Sequence, residues 1–282
     1  MKPFTLNIRG NLLRVERPMI MGIINVTPDS FWEGSRAADA DSIAGRAATM
    51  IADGVDIIDL GACSTRPGAE TCDAATEDAR IAVGIEAVRS VSADIPLSVD
   101  TFRASVARSA VEHGADIVND ISGGDLDPEM MPTVASLHVP YIMMHMRGTP
   151  ATMQSMCDYP EGVVTEVVAD LSRKIERFRL AGVADIIADP GLGFAKTVGQ
   201  NYELLRATAE IEDLLGTPVL IGLSRKSMLT RPLGITAAEA LEATTAANTL
   251  ALVNGAAILR VHDVKAAVEA REIVSLTYPT PA

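Results

Sequence analysis

Five short apolar runs in this chain end on polar side chains of reactive type. Pro96-Leu97-Ser98-Val99 stops at Asp100, Asp116-Ile117-Val118 at Asn119-Asp120, and Asp185-Ile186-Ile187-Ala188 at Asp189. Val219-Leu220-Ile221-Gly222-Leu223 leads into Ser224-Arg225-Lys226, and Ala257-Ile258-Leu259 into Arg260-Val261-His262. A buried carboxylate without a partner is costly, so Asp100 and Asp189 each need protein, ligand or metal beside them. Singly, Asp100, Asn119 and Asp189 also read as helix caps. Together they suit the N–H-rich edge of a pterin or purine ring. Lys226 offers either a Schiff-base amine or a point charge facing an anion or an aromatic ring. Arg260 and His262 fall on one side of their strand, because side chains alternate. That pair favours an anion, with His262 as an acid or a metal–phosphate ligand. His145, alone after Met143-Met144, reads as a structural group.

Two loops add donors and aromatic cover. In Asn25-Val26-Thr27-Pro28-Asp29-Ser30-Phe31-Trp32, two large aromatics in a polar loop point to a lid over a flat ligand. In Gly61-Ala62-Cys63-Ser64-Thr65-Arg66-Pro67-Gly68, hydroxyls and a guanidinium between Gly and Pro suit an oxyanion or phosphate. No Gly-Lys-Ser/Thr follows, so this is not a P-loop. Gly191-Leu192-Gly193 has no third glycine and is a weak dinucleotide signal. No two-His-one-carboxylate spacing indicates a tightly held transition metal. Magnesium shared with substrate phosphates is compatible.

The runs themselves must position these groups. Runs of four to six apolar residues read as buried parallel strands. Strands are expected near 19–25, 55–61, 96–100, 116–120, 140–145, 185–189, 218–223 and 256–261. Helical patterns fill 39–53, 73–91, 103–113, 128–138, 160–181, 200–214, 237–253 and 263–275. Eight strands alternating with eight helices imply an α/β fold, a single (β/α)8 TIM barrel, with polar groups gathered at the strand carboxyl ends. A doubly wound open sheet is the alternative. Ahead of it, Thr5–Arg9 and Leu12–Val15 read as a short N-terminal β-hairpin turning at Gly10-Asn11. One domain is expected over 1–282, with the hairpin in 1–17 and the barrel in 18–276.

Composition narrows the partners. The 282 residues carry a formal charge of −13, which disfavours nucleic acid and anionic membranes. Three cysteines, Cys63, Cys72 and Cys157, make an odd count without a Cys-x-x-Cys pair. Neither a disulfide framework nor a structural zinc is expected, and a reducing cytoplasm is the natural compartment. No run reaches the length of a membrane span, and no signal peptide is read at Met1–Thr5.

At these residues the chain resembles the dihydropteroate synthases of the pterin-binding barrel superfamily. The likeness runs through Met21–Phe31, Ser64–Ala69, Ser98–Thr101, Asn119–Gly124 and Met144–Met146, and on to Asp189–Phe194, Ser224–Ser227 and Arg260–Asp263. It implies transfer of a dihydropterin-CH2 group from pyrophosphate to p-aminobenzoate in folate synthesis. It also implies that Asp100, Asn119, Asp189 and Lys226 hold the pterin, with Met144, Phe194 and Gly222 in its slot. Arg66, Arg260 and His262 would clamp pyrophosphate, and Asn25 would help position Mg2+ there. Phe31, Thr65, Pro67, Ser224 and Lys226 would shape the aminobenzoate site. By the same resemblance the catalytic set is Asp100, Lys226, Arg66, Arg260 and His262, and a homodimer through the late helices is expected. The departures are Trp32-Glu33 after Phe31, Ala62-Cys63 where Gly-Glu is common, and Met228 in place of Phe. Two other readings share the barrel: a methyltetrahydrofolate-binding methyltransferase, which has no use for the anion clamp, and a non-catalytic pterin-binding paralogue.

Overall fold

The computed structural model describes residues 1–26, 36–63 and 72–278. The loop residues Phe31, Thr65, Arg66 and Pro67, with Trp32-Glu33, lie outside them. Two strands, β1 (Phe4–Ile8) and β2 (Asn11–Val15), pair antiparallel. Eight further strands form one parallel sheet: β3 (Met19–Asn25), β4 (Ile57–Gly61), β5 (Leu97–Asp100), β6 (Ile117–Asp120), β7 (Tyr141–Met144), β8 (Ile186–Asp189), β9 (Leu220–Ile221) and β10 (Ile258–Val261). Their spatial order is β8-β7-β6-β5-β4-β3-β10-β9, and an Ala188–Val219 bridge joins the two ends. Sequential neighbours lie side by side, which is the order of a (β/α)8 barrel and not of a doubly wound sheet.

Alternation along each strand divides the barrel. Ile58, Leu60, Val99, Val118 and Leu259 face outward and pack in the cluster shared with the helices. Their neighbours Ile57, Ile117, Ile142, Ile187, Leu220 and Ile258 point inward and fill the lower half of the barrel. Leu6 and Val15 of the hairpin close that layer from below. Each buried aliphatic side chain contributes about 1.5–3 kcal/mol. Two residues further along the same strands the inward positions become Asp59, Asn119, Asp189, Gly222 and Arg260.

The hairpin turn differs by one residue from expectation. Ile8 pairs with Asn11, so the turn is Arg9-Gly10, both at positive φ (51° and 75°) as a type I′ turn requires. Arg9 donates to Asp116 at 2.5 and 2.9 Å, and the Asn7 amide donates to Asp185 at 2.6 Å. Both acceptors precede barrel strands, so the hairpin is tied to the amino-terminal face.

The helices are α1 (Arg36–Ala52), α2 (Ala74–Val91), α3 (Ala104–Glu112), α4 (Met130–Leu137), α5 (Val163–Leu180), α6 (Val198–Arg206), α7 (Thr208–Leu215), α8 (Ser227–Leu233), α9 (Leu241–Val253) and α10 (Val264–Thr277). The single helix expected over 200–214 is therefore two. At the break, Thr208 and Asn254 side chains donate to the Leu205 carbonyl, satisfying locally a group that helix continuation would have used. The short α8 was not expected either. It ends at Gly234 in the left-handed conformation, just after Pro232.

Candidate active site

The polar layer opens on the carboxyl-terminal face. At its floor the Arg260 guanidinium donates to Asp59 from Nε at 2.6 Å and to Asp100 from Nη2 at 2.6 Å. Burial alone would lower the pKa of this arginine, but the two carboxylates outweigh it and raise it above the ordinary value. Asn119 donates through Nδ2 to the same Asp59 oxygen at 3.3 Å. Asp100 is pushed up to about 7, first by burial, against the pull of Arg260 and with the charge of Asp59 adding to the rise.

The segment after β8 forms the next wall. Asp189 accepts the Gly191 amide at 2.7 Å, and burial raises its pKa against the pull of Lys226. A Cβ on Gly191 would stand 2.0 Å from the His145 carbonyl oxygen, so only glycine fits there. Lys226 donates to the Leu192 carbonyl at 2.6 Å and lies 4.9 Å from the centre of the Phe194 ring. Burial lowers its pKa to about 8. Its stem passes 3.2 Å from where a Gly193 Cβ would be. Met144 and Phe194 belong to an apolar cluster on this side, with Met146 and Ala195. Gly222 leaves room between Lys226 and Arg260, whose nearest atoms lie 3.9 and 3.7 Å from its absent Cβ.

At the rim, Asn25 is exposed at the end of β3. Ser224 accepts the His262 amide at 3.3 Å. His262 lines a cleft of about 770 Å³ between α1 and α10, together with Arg46 and Lys265. Burial, then the Arg260 charge, lowers its pKa to about 4, so it is neutral near pH 7. The barrel thus gathers Asp100, Asn119, Met144, Asp189, Phe194, Gly222, Lys226 and Arg260 at one mouth, with Asn25, Ser224 and His262 at its edge. Of the two adjacent cations at the end of β9, only Lys226 enters the mouth. Arg225, at φ 56°, turns out to a bidentate pair with Asp263 at 2.9 and 2.8 Å.

Three features were not read from the sequence. Asp59 sits mid-strand among apolar neighbours, where a lone acid in Ile57-Ile58-Asp59-Leu60-Gly61 was the available signal. Lys196 is buried and donates to the carbonyls of Gly191 (3.0 Å) and Phe194 (2.8 Å) and meets Nδ1 of His145 at 3.1 Å. It braces the Asp189–Phe194 segment from behind, and His145 is a partnered structural group. The third corrects an expectation: Cys63 and Cys72 form a disulfide. The odd count hid it, because the pair is set by where β4 ends and α2 begins. Arg103 stands 3.9 Å from the Cys63 sulfur and is paired with Glu77. Although Cys63, Cys72 and Glu77 cluster as metal ligands would, the sulfurs bond each other and Glu77 bonds Arg103.

Comparison with known proteins agrees with this geometry. Residues 21–262 match the family described as pterin binding enzyme. The dihydropteroate synthase of Synechocystis sp. is 44% identical over 254 residues, covering 89% of this chain and 87% of that one. Among solved structures, the Xanthomonas albilineans dihydropteroate synthase with 4-aminobenzoic acid superimposes with a TM-score of 0.88 at 36% identity, covering 99% of this chain and 100% of that one. The Yersinia pestis dihydropteroate synthase in complex with a sulfonamide drug gives a TM-score of 0.89 at 37% identity, covering 97% and 99%. The chain belongs to the pterin binding enzyme family, among the dihydropteroate synthases of folate synthesis, and is a transferase.

Proposed function

We propose that this chain condenses 6-hydroxymethyl-7,8-dihydropterin pyrophosphate with p-aminobenzoate, giving 7,8-dihydropteroate and pyrophosphate. The observation that carries this reading is the convergence of Asp100, Asn119 and Asp189 on one mouth that also holds Lys226 and Arg260. A dihydropterin carries an amino group and ring N–H groups, which these acceptors suit. Lys226 supplies a donor for the ring carbonyl, and Met144 and Phe194 supply apolar contact for its faces. Arg260 and His262, with Arg66 outside the described residues, clamp the pyrophosphate. The C–O bond breaks with its electron pair leaving on pyrophosphate. The neutral amine of p-aminobenzoate then forms the C–N bond and releases a proton, so no strong general base is required. The half-buried carboxylate of Asp100 stabilises the cationic methylene. Phe31, Thr65, Pro67 and Ser224 shape the aminobenzoate side.

Asn25 is the group that would hold magnesium. Its Oδ1 lies 3.6 Å from the point where a Gly61 Cβ would be, so glycine leaves the rim beside it open. A single neutral oxygen fits a cation that keeps its waters and takes oxygens from phosphates. Magnesium, when bound, supplies positive charge to the leaving pyrophosphate. A homodimer through the late helices goes with this reading, because α9 and α10 expose Leu250, Val253, Ile273 and Leu276. The cytoplasmic setting expected from the sequence is proposed with it, although the Cys63–Cys72 disulfide is a bond that thiol buffers there would work to reduce. Among the described residues, no helix is long and apolar enough to cross a membrane.

The test is product identification. Incubation of the chain with dihydropterin pyrophosphate, p-aminobenzoate and Mg2+ yields dihydropteroate by mass spectrometry. Pterin binding with no such product would overturn the synthase reading in favour of a non-catalytic paralogue.

A further inference from the structure

Asp59 is fully buried, and its environment is asymmetric. Its Oδ2 receives the Nε and Nη2 groups of Arg260, both at 2.6 Å, and Nδ2 of Asn119 at 3.3 Å. Its Oδ1 is buried with no hydrogen-bond partner among the described residues. An amide side chain has a donor end and an acceptor end, and its neighbours decide which end a ligand meets. With Nε and Nη2 of Arg260 donating to it, the Asp59 oxygen is an acceptor toward Asn119 as well. Asn119 must therefore turn Nδ2 toward it, leaving the carbonyl oxygen for the ligand side. Turning the amide over would set two oxygens against each other in a buried site, a costly arrangement.

We propose that Asp59 is the specificity-determining positioning residue of this mouth: by fixing the Asn119 amide it makes the site demand a hydrogen-bond donor, the exocyclic amino group, on the ring it binds. The inference rests on Asn119 meeting the pterin as proposed above. Asp100, Asn119 and Asp189 then all present oxygens, and a ring with a carbonyl in place of the amino group meets oxygen with oxygen. Rejection of that kind is strong because the polar groups of the site are left unpaired. With Asp59→Asn, the residue at 59 can donate or accept, and the Asn119 amide is free to adopt either orientation.

The experiment is calorimetric titration of the full chain with 6-hydroxymethylpterin and with its 2-oxo counterpart, 6-hydroxymethyllumazine. Both probes lack pyrophosphate, so altered anion clamping by Arg260 does not enter. The unmodified chain is expected to prefer the pterin by 100-fold or more. Asp59→Asn is expected to cut that preference at least tenfold, mainly through better lumazine binding. An unchanged ratio in a folded Asp59→Asn chain overturns the inference, whereas failure of the unmodified chain to bind the pterin overturns the reading beneath it. Where Asp59→Asn does not fold, hydrogen exchange in the unmodified chain decides. The Asn119 side-chain NH2 protons are expected to exchange slowly with water, one of them being held on Asp59, and fast exchange contradicts the proposal.

Discussion

The lower and upper halves of the barrel interior are built by the same strands, two residues apart, yet they obey different rules. Below, Ile57, Ile117, Ile142 and Ile258 meet the hairpin and need no partners beyond each other. Above, the half-buried Arg260 holds the fully buried Asp59 and the half-buried Asp100, each at 2.6 Å. The lower layer contributes stability by area. The upper layer costs desolvation, and ion pairing offsets part of that cost while leaving acceptors and cations aimed at one opening. The alternation that makes a strand thus lets adjacent layers specialise, and binding chemistry is confined to the layer with unspent hydrogen-bonding capacity.

The largest expected effect comes from Arg260→Met, which leaves Asp59 and Asp100 facing each other without a cation. Breaking a buried pair in this way costs on the order of 3–5 kcal/mol. Urea melts should show that loss, and pyrophosphate release should fall about 10³-fold, or on the order of 4 kcal/mol in barrier. A variant as stable as the parent would remove the contrast between the layers. Ile117→Ala sharpens it from below: about 2–5 kcal/mol of stability is lost, with kcat/KM within twofold of the parent at a temperature where both are folded.

Reduction of Cys63–Cys72 comes next. The bridge joins residues nine apart, and closing so short a loop stabilises by about 2–3 kcal/mol in the chain-entropy model. Thermal melts with and without a dithiol reductant should show a drop of several degrees, and Cys63→Ser should be insensitive to the reductant. The smallest effect is on pH dependence. His262, lowered to about 4 from 6.5, takes up its proton later when folded, so it removes stability as pH falls from 6.5 toward 4. Asp100, raised to about 7 from 3.8, holds a proton when folded that the unfolded chain lacks, so it adds stability as pH falls through 7. Between pH 7 and 5 the melting temperature should therefore fall less in His262→Gln than in the parent, and more in Asp100→Asn. Shifts of the same sign in both variants would contradict the assigned environments.

The carboxyl-end residues were legible because each closes an apolar run. Asp100, Asn119 and Asp189 announce themselves where the apolar run stops, and the structure brings them to one mouth. Asp59 did not, because periodicity treats a polar residue inside a buried strand as noise unless its partner is known. That partner, Arg260, is 201 residues away. The Ser224-Arg225-Lys226 triplet shows a second limit. Alternation predicts which side of a strand a residue faces, but β9 ends at Ile221 and the positive φ of Arg225 sends that side chain to Asp263. The α6–α7 break and the disulfide likewise depend on tertiary neighbours, Asn254 in one case and the meeting of β4 with α2 in the other.

The central claim, that the chemistry resides in the upper layer alone, is tested most directly by measuring pyrophosphate release side by side in Lys226→Ala and Ile142→Ala. The assay supplies dihydropterin pyrophosphate and Mg2+, with and without p-aminobenzoate, at a temperature where both variants are folded. The account predicts aminobenzoate-dependent release at the parent rate in Ile142→Ala and a loss of at least 100-fold in Lys226→Ala. Near-parent turnover in Lys226→Ala, or an equal loss in both, would contradict it.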